Sequence, residues 1–260
     1  MKAGKFYIGT SGYSYNHWSG GVFYPPGLKQ DKWLEYYCKH FNTVELNVTF
    51  YRLPQKQAFA GWDKRTPENF IFAIKGSRFI THIKRLRAAA EPLKLMFKRA
   101  EPLFKKIDVV LWQLPPKFKC DIKRLSDFLK NLQRYKNVRH VKWRGHHVAL
   151  RHVFEFRDAS WFNKDIYKLL KKSNIAICGA DWPECSNDIH ETCDFIYIRR
   201  HGASARLYSG CYSGAQLKAD ANLIKRHLSK GKDVYIYFNN DAYGYAVKNA
   251  KDLKKIIQNL

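Results

Sequence analysis

Glu45-Leu46-Asn47-Val48-Thr49-Phe50-Tyr51 is the stretch on which the reading of this chain turns. Together with Val44, its apolar residues Leu46 and Val48 alternate with Glu45, Asn47 and Thr49, the period-two pattern of a strand. In an open sheet such a polar face meets water. In a closed parallel barrel the second face points inward. A lone carboxylate aimed into an interior costs on the order of several kcal/mol unless it is paired. Folding alone does not call for it, so the stretch points to function as well as to fold.

Outward from it, short apolar runs recur at residues 6–9, 43–48, 71–75, 109–113, 153–157, 175–178, 195–199 and 234–239. Helical patterns lie between them. Leu34, Tyr37, Cys38 and Phe41 share a face, as do Ile122, Leu125, Leu129 and Leu132, then Leu217, Ala221, Ile224 and Leu228, then Ala246, Ala250, Leu253, Ile257 and Leu260. Eight β-α units in 260 residues predict a single (β/α)8 TIM-like barrel domain over residues 1–260. Only about 16 residues separate Cys178 from Phe195, so the sixth helix is expected to be short or missing. A doubly wound open sheet is the alternative. It calls for a G-x-G-x-x-G turn after the first strand, and Gly9-Thr10-Ser11-Gly12 is not one.

Composition narrows the function classes. Hydrophobic residues make up 45% and aromatics 15%, enough for a large core. No apolar run reaches the roughly 18 residues of a membrane span. Met1-Lys2-Ala3-Gly4-Lys5 leads straight into Phe6-Tyr7-Ile8 with no signal-peptide pattern, so a cytoplasmic protein is expected. The cysteines Cys38, Cys120, Cys178, Cys185, Cys193 and Cys211 form no C-x-x-C pair and read as free thiols. The net charge of +25, from 47 Lys and Arg against 22 Asp and Glu, favours polyanionic partners such as DNA or RNA, or marks a generally basic surface. Two basic segments stand out. Residues 134–144, followed by His146 and His147, precede the fifth strand, away from the usual site. The loop 76–87 carries Arg78, Lys84, Arg85 and Arg87 beside Phe79 and follows a strand end.

Active sites of β/α barrels form at the C-terminal ends of the strands. Strand periodicity places there Glu45 and Asn47, Lys75, Gln113, Glu155 and Arg157, Arg199 with His201 beyond it, and Asn239, with Asp181 just past the sixth strand. The first strand ends in Thr10, Ser11 and Gly12, which offer hydroxyls and backbone N–H groups. The bland explanation is an ion-pair network that plugs the interior. The sharper one is a catalytic mouth, with a carboxylate base and a Lys/Arg anion site.

Several of these segments resemble the YecE-like family of domains of unknown function. They are residues 8–15, Val44-Glu45-Leu46-Asn47 with 49–54, Phe72-Ala73-Ile74-Lys75 with Ile80-Thr81-His82, and Gln113-Leu114-Pro115-Pro116. Phe154-Glu155-Phe156-Arg157 with Ser160-Trp161, Ala180-Asp181, Tyr197-Ile198-Arg199 with His201-Gly202, and 237–241 complete the match in order along nearly the whole chain. The resemblance implies a TIM-like barrel and supplies no reaction.

Four functions follow from the residues. In the first, an enzyme acts on a phosphate-bearing substrate without a cofactor. Glu45 or Glu155 is its base, and His201 or Asp181 its proton partner. Lys75, Arg157 and Arg199 hold the anion, and residues 10–12 form a backbone cradle. Asn47, Gln113, Asn239, Thr10 and Ser11 complete the substrate contacts. In the second, a divalent metal is held by Glu155, Asp181, His201 and Glu45, as in isomerase-like or endonuclease-like barrels. The third is glycoside hydrolysis by Glu45 with Glu155. The fourth is a non-enzymatic nucleic-acid-binding barrel.

Overall fold

The structure, a computed structural model, describes residues 3–135, 142–143, 146–147, 149–182, 185, 189–203 and 208–259. Its strands are β1 (Phe6–Thr10), β2 (Thr43–Leu46), β3 (Ile71–Lys75), β4 (Ile107–Gln113), β5 (Arg151–Glu155), β6 (Ala176–Ile177), β7 (Gly179–Ala180), β8 (Phe195–Arg200) and β9 (Asp233–Phe238). Two further short strands, Lys142–Trp143 and His146–His147, pair antiparallel. The helices are α1 (Trp33–His40), α2 (Val48–Tyr51), α3 (Lys56–Lys64), α4 (Ala90–Ala100), α5 (Ile122–Gln133), α6 (Lys164–Lys172), α7 (Gly214–Ser229) and α8 (Tyr245–Asn259).

The result is an α/β fold built on parallel sheets, as the alternating pattern predicts. Pairing falls into a five-stranded sheet, β2-β3-β4-β5-β6, and a four-stranded sheet, β1-β9-β8-β7. They meet at two seams. At one, Ser11 bridges Glu45 in parallel and the Gly12 N–H donates to the Glu45 carbonyl at 2.8 Å. At the other, a single segment changes sheets across Cys178: β6 pairs with β5, and β7 pairs with β8. Among the described residues between Cys178 and Phe195 there is no helix, in keeping with the short connection. Most of the basic segment 134–144 lies outside the described residues.

Alternation along the strands gives each sheet two apolar faces. One packs against the helices in a large cluster that includes Trp18, Trp112, Phe128, Phe154 and Trp161. The other forms a smaller cluster of Ile71, Val109, Leu111, Val153, Tyr197 and Tyr237. On this second face the two sheets touch, with the hydroxyls of Thr43 and Tyr237 2.7 Å apart. The polar ends of the strands lie on the same face.

One expectation fails at the stretch that opened the reading. The strand stops at Leu46. Asn47 takes helical dihedrals (φ −86, ψ −21), and Val48–Tyr51 form the turn α2. The Thr49 hydroxyl lies 2.6 Å from the Lys75 carbonyl and 3.0 Å from that of Leu46. This clasp bends the chain over the end of β3, and Phe50 follows it inward. β-propensity at Val48, Thr49 and Phe50 is overridden by one tertiary hydrogen bond.

The seam between β1 and β2 depends on Gly9. A Cβ there would stand 2.3 Å from the Thr43 carbonyl oxygen and 3.0 Å from the Tyr37 hydroxyl. Gly9→Val is expected to destabilise the fold by about 1–3 kcal/mol or more. Gly61→Ala, in α3 where a Cβ meets nothing within 4 Å, is expected to stabilise it by about 0.5–1 kcal/mol. Urea denaturation of the two variants tests the contrast.

Candidate active site

Period-two geometry sends Arg199 to the inner face and Arg200 outward, where Arg200 pairs with Asp220 of α7. Arg199 is fully buried. Its guanidinium forks onto Glu45, Nε to Oε2 at 3.0 Å and Nη2 to Oε1 at 2.9 Å. The remaining nitrogen, Nη1, donates to Glu155 Oε2. One cation thus ties the end of β8 to the ends of β2 and β5, in the other sheet.

Both carboxylates are satisfied from further sides. Ser11 Oγ donates to Glu45 Oε1 at 2.6 Å, and the Tyr197 hydroxyl to Oε2 at 2.7 Å. Gln113 Nε2 and Arg157 Nε donate to Glu155 Oε1 at 2.8 and 2.9 Å. Burial pushes both carboxyl groups up. Arg199 and Ser11 outweigh it at Glu45, and Arg199, Arg157 and His201 outweigh it at Glu155. Glu45 ends below the usual carboxylate range and Glu155 well below it. Such carboxylates are poor proton acceptors near neutrality, which weighs against a Glu45 or Glu155 base. They also oppose two-carboxylate glycoside hydrolysis, which needs one carboxyl held protonated.

Lys75 behaves differently. It is buried at the end of β3, with Nζ 4.1 Å from the centre of the Phe50 ring. Among the described residues its amine makes no hydrogen bond and no ion pair. Burial first, then Arg199, pushes its pKa down to about 7 against the pull of Glu155 and Glu45. The Arg157 guanidinium carbon lies over Trp182, 3.5 Å from the ring centre. Only its Nε is hydrogen-bonded among the described residues.

His201 is also brought in. Its Nε2 lies 3.4 Å from Arg199 Nη1 and 3.5 Å from Glu155 Oε1, and its Nδ1 is 3.2 Å from Asn239 Nδ2. Burial and Arg199 lower its pKa against the pull of Glu155. Asn239 Nδ2 and Arg199 Nη1 are both donors, so a neutral ring accepts from one of them and turns its proton to the other side.

Three expected placements differ from what the geometry shows. Asp181 does not join the cluster: it accepts the His201 N–H at 2.6 Å and the Tyr212 hydroxyl, fastening the loop after β8. Residues 10–12 form no backbone cradle, because the N–H groups of Thr10, Ser11 and Gly12 are spent on Tyr37, Phe238 and Glu45. The Thr10 hydroxyl turns to the Gly12 carbonyl, whereas Ser11 does reach Glu45 and Arg199. Asn47 turns helical at the end of β2 yet stays beside the cluster, its side chain against Tyr15, whose hydroxyl donates to the Ser11 carbonyl, with Asn47 Oδ1 buried and without a hydrogen-bond partner among the described residues. Among the described residues no three His, Cys, Asp or Glu side chains form a metal-ligand group, so the expected set of Glu155, Asp181, His201 and Glu45 is not assembled. Sequence reasoning passed over Tyr197, Phe50 and Trp182. Only Tyr197 had a signal, two residues before Arg199 on the same face.

Fold and site together define an α/β protein whose parallel strands end around a buried ionic cluster. Residues 7–259 match the family model described as "Protein of unknown function DUF72", and the chain belongs to that family. It is similar to the UPF0759 protein YunF of Bacillus subtilis (strain 168), 26% identical over 282 residues, which span 96% of this chain and 94% of that protein. The UPF0759 protein YecE of Escherichia coli (strain K12) is 35% identical over 85 residues, 33% of this chain and 31% of that one. Among solved structures, a DUF72 family protein of Thermotoga maritima superposes with a TM-score of 0.82 at 29% identity, covering 98% of this chain and 99% of the other. A DUF72 family protein of Enterococcus faecalis V583 shares the fold, with a TM-score of 0.75 at 21% identity over the full length of both.

Three outcomes test this electrostatic account. Arg199→Met is expected to cost about 3–5 kcal/mol, because two buried carboxylates lose their partner, and Arg199→Lys to recover little of it, because an ammonium cannot fork. The depressed carboxyl groups contribute stability in full above their unfolded value of about 4.5, and lose it as pH falls through their folded values. Denaturation midpoints below pH 4.5 should therefore fall more steeply in the parent protein than in Glu155→Gln. Lys75→Met should raise the midpoint at pH 7, with the gain shrinking between pH 7 and 10.5 as the parent amine no longer carries a proton in either state.

Proposed function

We propose that the strand ends form the active site of an enzyme acting on an anionic, phosphate-bearing substrate, and that the two sheets close into one (β/α)8 barrel with this site at its C-terminal mouth. Charge balance carries the reading. Glu45 and Glu155 are matched by Arg199 and Arg157. Lys75 is a further buried amine with no counter-ion among the described residues. A substrate anion supplies the missing charge, and the terminal nitrogens of Arg157, backed by Trp182, are oriented donors for it.

In this reading Glu45 and Glu155 hold the guanidinium groups in place and Lys75 moves the proton, since its charge changes near neutrality. Gln113 and Ser11 position the two carboxylates. All six cysteines are free, which supports a reducing, cytoplasmic compartment. No helix among the described residues is long and apolar enough to cross a membrane.

A second reading rests on a separate observation. Beside the site, Tyr51 (74% exposed) and Phe79 (44% exposed) line a groove of about 680 Å³ with Arg78. Exposed aromatics and basic groups next to a +25 chain are the parts of a single-strand nucleic-acid platform.

Calorimetry with inorganic phosphate and small phosphate monoesters tests the first reading. Binding should weaken tenfold or more, about 1.4 kcal/mol, in Arg157→Gln. No binding, or binding indifferent to that substitution, removes it. For the second, affinity for a single-stranded oligonucleotide should fall steeply with salt, and Tyr51→Ala and Phe79→Ala should each cost about 1–3 kcal/mol. Salt-independent or absent binding removes that one.

A further inference from the structure

Among the described residues two lysines are buried, and they are treated in opposite ways. Lys106 Nζ donates to the carbonyls of Asp63 and Thr66 at 2.6 and 2.9 Å and pairs with the Asp63 carboxylate at 3.2 Å. That is the ordinary answer to a desolvated ammonium. Lys75 has only the face of Phe50. Among the described residues it forms no ion pair with the nearby carboxylates, whose oxygens accept instead from Arg199, Ser11, Tyr197, Gln113 and Arg157. The cluster keeps its negative charge on the guanidinium groups and leaves one amine at a strand end without an acceptor among the described residues.

We propose that Lys75 is a covalent nucleophile, whose amine condenses with the carbonyl carbon of an aldehyde or ketone that carries an anionic group. The proposal deepens the anion-site reading and takes from it the Arg157 subsite for the substrate's charge. A pKa lowered to about 7 leaves roughly half of this amine unprotonated at pH 7, and the unprotonated form is the state that attacks a carbonyl. The Nζ lone pair forms the C–N bond while the carbonyl π electrons move to oxygen, which takes up a proton. The amine loses a proton to give a neutral carbinolamine. Expulsion of the hydroxyl with a second proton, as water, leaves the protonated imine. Arg199 and Arg157 favour the neutral amine before the reaction, and Glu155 and Glu45 stand near the iminium charge after it. No redox partner is needed.

The test uses the full chain at pH 7 with glycolaldehyde phosphate and sodium cyanoborohydride. Cyanoborohydride delivers hydride to an imine and fixes it as a secondary amine, which peptide mass mapping locates. Lys75 is expected to be modified at least tenfold faster than the exposed Lys94, and Lys75→Arg to abolish the fast site while keeping a cation there. Glycolaldehyde, which lacks the phosphate, should label Lys75 more slowly, and Arg157→Gln should reduce the phosphate compound to that slower rate. Modification of Lys75 no faster than Lys94 in the parent protein overturns the proposal, whether or not any variant folds. The two readings fail separately. Fast labelling by both aldehydes, unchanged in Arg157→Gln, keeps the imine and removes the anion subsite. Arg157-dependent phosphate binding with no preference for Lys75 removes the imine alone.

Discussion

The Arg199 guanidinium is the point on which the rest of the site depends. It sits on β8, in the four-stranded sheet, yet its donors go to Glu45 and Glu155 of the five-stranded sheet. A buried cation of this kind is costly to desolvate, and only near-complete hydrogen bonding offsets that cost. Here the fork supplies it, and Ser11, Tyr197, Gln113 and Arg157 satisfy the acceptors that remain. The arrangement specifies position more than it adds stability. It fixes the relative placement of three strand ends to within a hydrogen bond, as a reacting centre requires.

The same saturation reassigns the chemistry. Carboxylates at the ends of barrel strands invite a general-base reading, and two of them invite a glycosidase. Once each oxygen accepts a hydrogen bond and both groups are held ionised, the proton transfer we propose falls to other groups. Lys75 and His201 are those groups at this site. Both have depressed pKa values, for the same two leading reasons, burial and Arg199. The arginine therefore organises the site twice, through its contacts and through its field.

Much of this was legible in the chain. Period-two alternation named Glu45, Lys75, Gln113, Glu155, Arg157, Arg199 and Asn239, and the structure places polar contacts among most of them. Alternation gives the face of a strand but not its last residue, and so the end of β2 was misplaced: the Thr49 hydroxyl reaching the Lys75 carbonyl is a contact between residues 26 apart in sequence. Asp181 lies past its strand, where direction is set by the loop and by Tyr212. The N–H groups of residues 10–12 looked free because Tyr37 and Phe238, which consume two of them, are distant in the chain. Least legible was the solitude of Lys75, since an absent partner is a property of the assembled neighbourhood.

Phe50 gives this neighbourhood one more property. Its ring supports the Lys75 ammonium at 4.1 Å, meets the His82 imidazole edge-on at 5.0 Å, and also forms part of the wall of the groove lined by Tyr51 and Phe79. One ring therefore belongs both to the wall of the groove and to the setting of the Lys75 amine. A molecule seated in the groove would rest on the same aromatic that the amine faces.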